Sequence, residues 1–169
     1  METDKYLFFY SHQKNKLGTE IYSQWYPCTF IEQICDGVEI KYCNAEQYMM
    51  AHKALLFGDG EILSKILNEK NPSKIKSLGR KIANFDNDYW DKYKYDIVAS
   101  GNRLKFEQNP KLMEQLKNTS NKILVEASPH DKIWGIGLTA HQAINIPVSK
   151  WPGENLLGKA LMQVRKESQ

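Results

Sequence analysis

The segment from Asn44 to Gly58 constrains the fold of this chain more than any other. Ala45 to Phe57 contains neither Gly nor Pro, Asn44 ahead of it can cap a helix, and Gln47 stands where it can reach back as in a capping box. Gly58 supplies the stop. A helix over 45–57 is therefore predicted, directly after a stretch of the opposite character. Cys28–Ile34 and Val38–Tyr42 flank Asp36-Gly37, two residues that tolerate positive φ, and predict a β-hairpin with a two-residue turn.

The rest of the chain fills in around this junction. Tyr6–Tyr10 reads as a strand, and the polar stretch Ser11–Glu20 as a loop that could border a site. Helices are expected over Glu61–Asn68, from Pro72 behind an Asn71 cap to Gly79-Arg80, over Asp88–Gln108 despite Gly101, from Pro110 to Leu116, and over Glu154–Lys166. Lys122–Ala127 is β-rich, and Trp134-Gly135-Ile136-Gly137 is a tight turn. The pattern predicts a helix-rich α+β fold with a small sheet and a hairpin. With 169 residues, 41% hydrophobic and 25% charged, it predicts one compact domain over 1–169, with a core over about 6–167.

Composition narrows the function. No stretch reaches the roughly 20 apolar residues that span a bilayer, and Glu2 and Asp4 precede Tyr6–Phe9 where a signal peptide would be basic. A cytoplasmic protein with no membrane partner is expected. Cys28, Cys35 and Cys43, spaced 7 and 8 apart, match no common zinc pattern and are expected to be reduced, mostly packed thiols. A net charge of +3 gives no broad footprint for duplex DNA, but leaves room for a local patch that holds a phosphate or a single strand.

On the predicted helix, Tyr48, Met49, His52, Leu55 and Leu56 share one broad apolar face, and Glu46, Met50, Lys53 and Phe57 form the adjoining stripe. Taken alone, that stripe reads first as the solvated boundary of an amphipathic helix. It also fits the floor of a cleft. Glu46 and Lys53 are separated by about 10.5 Å along the axis, near enough for both side chains to reach one small ligand. A second cluster runs from Glu126 to Gly137. There Gly135 and Gly137 could admit a ligand to the backbone and Trp134 could stack on a base, or the segment is a turn with a core tryptophan. Arg80 at a helix end could hold a phosphate, although basic residues are common there for dipole reasons. His130 reads as a surface histidine. No phosphate-binding P-loop, dinucleotide fingerprint, zinc signature or nucleophile elbow is present.

Together these segments resemble the NADAR family. The resemblance rests on Phe9-Tyr10-Ser11, Asn44-Ala45-Glu46-Gln47-Tyr48 with Ala51-His52-Lys53-Ala54, Gly79-Arg80, Trp90, and Lys105-Phe106 with Gln108-Asn109. It continues through Leu124-Val125-Glu126-Ala127-Ser128, Asp131, Trp134-Gly135-Ile136-Gly137, Asn155-Leu156-Leu157-Gly158, Leu161-Met162 and Arg165. Each motif is weak alone; their order over nearly the whole chain is specific.

The resemblance implies an α+β fold with a cleft between the Asn44 helix and the Asp131–Gly137 loop, and an N-glycosidase using neither metal nor cofactor. It implies Glu46, Lys53 and Asp131 as catalytic residues. Tyr10, Ser11, Ser23, Trp25, Arg80, Trp90, Trp134, Gly135, Gly137 and Asn155 are implied as substrate-binding, with Arg80 near phosphate and Asn155 toward the ligand. Three functions are compatible with it. The first is removal of ADP-ribose from ADP-ribosylated guanine, in nucleotides or in single-stranded nucleic acid. The second is hydrolysis of ribosylaminopyrimidine phosphates of the riboflavin pathway. The third is non-catalytic binding of ADP-ribose or NAD by a sensor, against which the retention of both Glu46 and Lys53 argues. The chain departs from the family where many members carry Ser-Asn-Phe, having Ser23-Gln24-Trp25, and around His141, where an acidic residue is common.

Overall fold

In the computed structural model, which describes residues 1–168 with the side chain of Asp36 excepted, the helix starts where its cap predicts. Gln169, the last residue of the expected domain, lies outside the described residues. Backbone contacts group the chain into two compact units: Pro27–Asn109, and a second that combines Met1–Tyr26 with the residues from Pro110 onward. The fold is α+β, about half helical, with two two-stranded sheets.

The continuous unit begins with the hairpin. Strands β1 (Tyr6–Phe9), β2 (Phe30–Gln33), β3 (Glu39–Tyr42) and β4 (Ile123–Glu126) are numbered along the chain, and β2 pairs antiparallel with β3 from Phe30↔Tyr42 to Gln33↔Glu39. The turn holds three residues, not two. Ile34 N–H donates to Val38 O at 2.8 Å, so Cys35–Gly37 remain as a turn of 3-10 helix, and Gly37 closes it at φ 77°. A three-residue hairpin loop needs a left-handed residue at its end, which glycine adopts without a Cβ clash. The outer edge of β2 is covered by a side chain. Gln108 accepts from Ile31 N–H at 2.8 Å and donates to Ile31 O at 2.6 Å, and so acts as a short strand would.

Helix α1 (Ala45–Leu56) is capped by Asn44, whose side chain accepts from Gln47 N–H at 2.8 Å. The expected capping box differs in one respect: Gln47 Oε1 accepts from Cys43 N–H at 2.8 Å, one residue before the cap. Its amide nitrogen donates to the carbonyls of Ile66, Leu67 and Glu69, and so satisfies the orphan end of α2 (Gly60–Asn68). Asn71 caps α3 (Pro72–Gly79) as predicted, and Asp86 caps α4 (Asn87–Glu107). Gly101 does not interrupt α4. A Cβ there would lie 2.5 Å from the Tyr48 ring, so the glycine is what lets α4 press on α1. Gly79 plays the same part for α3, since its Cβ would meet Met50 Sδ at 2.0 Å.

In the other unit β1 pairs in parallel with β4, from Tyr6↔Ile123 to Phe9↔Glu126. Phe8, Val125, Ala127, Ile136 and Ala143 form its buried cluster. Helices α5 (Pro110–Asn118), α6 (Ala140–Ala143) and α7 (Leu156–Glu167) complete it. Gly158 lets α7 approach β4, because a Cβ would stand 2.2 Å from Leu124 O. Arg165 on α7 is buried and donates to Thr119 Oγ1 at 2.6 Å and Lys122 O at 3.0 Å, which ties the helix to the turn before β4. No described helix is long and apolar enough to cross a membrane. The cysteines are free thiols, but Cys35 is exposed rather than packed, because it sits in the hairpin turn.

Candidate active site

The first half of α1 is buried on every side, because α2, α3, α4 and the hairpin all pack against it within one unit. Glu46 is only 3% exposed and Met50 8%, whereas Leu55, expected on the core face, is 46% exposed. The polar stripe is thus buried as deeply as the apolar face over this half, and the apolar face emerges into solvent at its end. A carboxylate that deep is rare without a chemical or structural purpose.

Lys53 lies seven residues further along the same helix. Its Nζ donates to Gly79 O at 3.2 Å and stands 3.9 Å from the Phe85 ring centre and 5.6 Å from that of Trp90. Among the described residues no carboxylate lies within ion-pair distance of it. Burial of the half-exposed side chain pushes the ammonium below the usual lysine range, since desolvation disfavours the charged form and only a carbonyl and two aromatic faces compensate. The surroundings of Lys53 are thus the Gly79 turn and the Phe85–Trp90 wall. Arg80, immediately after Gly79, is exposed at the end of α3. Phe57, Phe85, Tyr89 and Tyr93 continue the wall as successive edge-to-face contacts, of which Phe57–Phe85 is 5.2 Å.

A polar cluster on the hairpin side of α1 was not anticipated from the sequence. Glu32 accepts from Tyr42 Oη at 2.8 Å and Tyr48 Oη at 3.2 Å, and lies 2.9 Å from His52 Nε2, whose ring stacks on Tyr48. Burial, and then the Glu32 carboxylate, push both phenols well above their usual range. The cluster fixes α1 on β2. Lys105 is a second buried polar residue of this unit. It is fully buried, and burial pushes its amine down to about 8. The signal that could have found it is its place on α4 at helical spacing from the buried Val98 and Asn102.

The remaining candidates belong to the other unit. Asp131 Oδ1 accepts from Ile133 N–H at 2.9 Å and Trp134 N–H at 2.8 Å, while Gly137 N–H donates to Asp131 O at 2.9 Å. The aspartate thus organises the Trp134–Gly137 turn. At Gly135 a Cβ would meet Glu126 O at 2.9 Å and Asp131 O at 3.0 Å, so the glycine lets the chain's own backbone come close. Gly137 sits at φ 68°. Asn155, expected to point toward the ligand, is buried and directs both ends of its amide to β4. Its Oδ1 accepts from Glu126 N–H at 3.0 Å and its Nδ2 donates to Leu124 O at 2.9 Å. Trp134 and Trp25 are half-buried, Trp25 touches the His12 ring, and Ser23 Oγ accepts from Trp25 N–H at 3.1 Å. Tyr10 is 53% exposed and Ser11 follows it at φ 70°. His130 and His141 are exposed.

The NADAR domain family matches residues 8–168, and the chain belongs to that family. It is 59% identical over its full length to N-glycosidase R617 of Acanthamoeba polyphaga mimivirus, covering 99% of that protein. It is 31% identical over 142 residues to a chloroplastic riboflavin biosynthesis protein PYRR of Zea mays, covering 78% of this chain and 20% of that protein. The solution structure of Escherichia coli YbiA superposes with a TM-score of 0.75 at 24% identity, over 99% of this chain and 87% of that one, which establishes the shared fold. The chain is a hydrolase of the class that acts on N-glycosyl bonds.

Proposed function

We propose that this enzyme releases ADP-ribose from ADP-ribosylated guanine, with Glu46 and Lys53 carrying the chemistry. The observation that carries the reading is the pairing of a deeply buried carboxylate with a desolvated, carboxylate-free amine two turns along one helix. Cleavage of an N-glycosyl bond leaves positive charge at the anomeric carbon. A carboxylate beside that carbon stabilises the transition state or takes a proton from the attacking water. A neutral Lys53 adds to the same carbon, and ring opening gives a protonated Schiff base that water hydrolyses to free the sugar and restore the amine. Of the two amine protons one goes to the departing base and one to the ring oxygen, and a proton from water converts the resulting imine to the protonated Schiff base. Asp131 is assigned as a positioning residue that holds the Trp134 turn, and Arg80 is the cation for a substrate phosphate. The aromatic row beyond Lys53 favours a substrate with a flat base on it.

A second reading, cleavage of ribosylaminopyrimidine phosphates, draws support from the similarity to the maize riboflavin protein. The two separate in one assay. The enzyme is incubated with ADP-ribosylated guanosine and, in parallel, with ribosylaminopyrimidine 5′-phosphate, and base release is followed by chromatography. Release from the guanine adduct at least about tenfold faster is expected; the reverse order would transfer the assignment to the pyrimidine.

A further inference from the structure

Cys28 and Cys43 stand at the open end of the β2–β3 hairpin, one where the chain enters it and the other directly before the Asn44 cap of α1. Cys28 N–H donates to Cys43 O at 3.1 Å. Residues joined by such a cross-strand bond have Cα atoms about 5.5 Å apart, within the span of about 4.4–6.8 Å that a disulfide bridges. The register shows how the two come together. Phe30 lies opposite Tyr42, so a regular ladder would put Cys28 opposite Asn44. Cys43 takes that place instead, as the extra residue of a bulge would, and turns its own N–H to Gln47 Oε1 at 2.8 Å.

Both thiols are free and half-buried. Burial pushes the Cys28 thiol up, the buried Lys105 ammonium pulls it down, and a charge on Cys43 pushes it up again, so the three groups lie within electrostatic reach of one another. Burial also raises Cys43. Cys43 Sγ accepts from Asn44 Nδ2 at 3.3 Å, which joins this thiol to the residue that caps the helix. Cys35, the exposed third thiol, sits in the turn at the other end of the hairpin.

We propose that Cys28 and Cys43 form a site of reversible oxidation, at which a small hydroperoxide converts the two thiols to a disulfide that ties the start of α1 to the strand entering β2. The Lys105 charge favours the thiolate at Cys28, which assigns Cys28 the first step. With hydrogen peroxide, the Cys28 sulfur attacks one oxygen. An S–O bond forms, the O–O bond breaks, and the other oxygen leaves as water with the thiol proton. The Cys43 sulfur then attacks the sulfenic sulfur of Cys28. The S–S bond forms, the S–O bond breaks, and the hydroxide leaves as a second water with the Cys43 proton. Two thiols lose two electrons and one peroxide gains them. The half-burial of both sulfurs restricts the oxidant to a small one. The site stands apart from the glycosidase reading, because neither cysteine is assigned to bond cleavage or to substrate.

The test uses the full chain with Cys35→Ser, which removes the exposed thiol. The folded protein is treated with a slight excess of hydrogen peroxide, the remaining thiols are alkylated, and a non-reducing digest is read by mass spectrometry. The peptides of Cys28 and Cys43 are expected to be joined within one molecule, and dithiothreitol to separate them. Adding Cys43→Ser is expected to stop the reaction at a sulfenic acid that dimedone traps on Cys28, and adding Cys28→Ser instead to leave at least about tenfold less trapping on Cys43. A bond that closes a loop of about 15 residues restricts the unfolded chain, so the oxidised protein is expected to unfold at a higher urea concentration than the reduced one. The proposal is overturned if the folded chain gives no link, if the link joins two molecules, if it forms only after urea has unfolded the chain, or if the urea midpoint does not rise. Equal trapping in the two variants overturns the assigned order of the steps.

Discussion

The surroundings of Lys53 and those of Asp131 use polar groups in opposite ways. Around Lys53 one amine meets a single carbonyl and two aromatic faces, and its charge is left poorly compensated. Asp131 Oδ1 and both ends of the Asn155 amide are instead committed to backbone groups of their own unit. The first environment raises reactivity at the cost of stability. The second fixes a loop and adds stability, with little chemical capacity left over. On the proposed function, residues that share one family pattern divide into groups that react and groups that position.

The sharpest break of that division is at Glu46. Glu46→Gln removes the charge with little change of shape, so turnover is expected to fall by on the order of a thousandfold while substrate binding stays within about tenfold. Retained activity would strike Glu46 from the reacting group. Lys53 comes next. Lys53→Met is expected to lose about a hundredfold in rate and to abolish the covalent adduct that borohydride traps from wild type during turnover, and Lys53→Arg should rescue neither. Rescue by arginine would mean that only the positive charge matters.

The pH dependence sharpens the same point. Burial lowers the Lys53 pKa, so the neutral amine persists to lower pH than in a free lysine, and the rate is expected to fall only as pH drops through that depressed value. Phe85→Ala admits water to the ammonium and should move this acid limb upward, toward the unperturbed lysine value of about 10.4. A limb that does not move would detach the aromatic wall from the chemistry. The smallest effects are expected on the positioning side. Asp131→Ala and Asn155→Leu each leave backbone groups unpaired and should cost about 1–3 kcal/mol in denaturant unfolding, with KM rising more than kcat falls. A kcat loss as large as that of Lys53→Met would move Asp131 among the reacting groups.

Much of this was legible locally. Asn44, and Asn71 with Pro72, specify helix starts by side-chain chemistry alone, and both starts are found where they were placed. Thr139-x-x-Gln142 carries an equally plain capping signal for α6, a helix of one turn that apolar periodicity does not reveal. What could not be read depends on neighbours distant in sequence. The burial of Glu46, the pressure of Gly79 on Met50 and the diversion of Asn155 to β4 arise from packing that periodicity does not encode. The three-residue turn at Cys35–Gly37 was missed for the opposite reason. Asp-Gly fits two turn types, and only the register of Gln33 with Glu39 chooses between them.

The parallel pairing of Tyr6 with Ile123 also dictates an order of assembly. Those strands are far apart in sequence, so the pairing must wait until the chain has been synthesised past Glu126 and must close a long loop. The stretch from Pro27 to Asn109 has its own contacts nearer at hand. It can gather around α1 while the partner of β1 is still being made. On a ribosome the helix that holds Glu46 and Lys53 would be among the first parts to mature, and in pulse-labelled refolding its amides should gain protection ahead of those of β1 and β4.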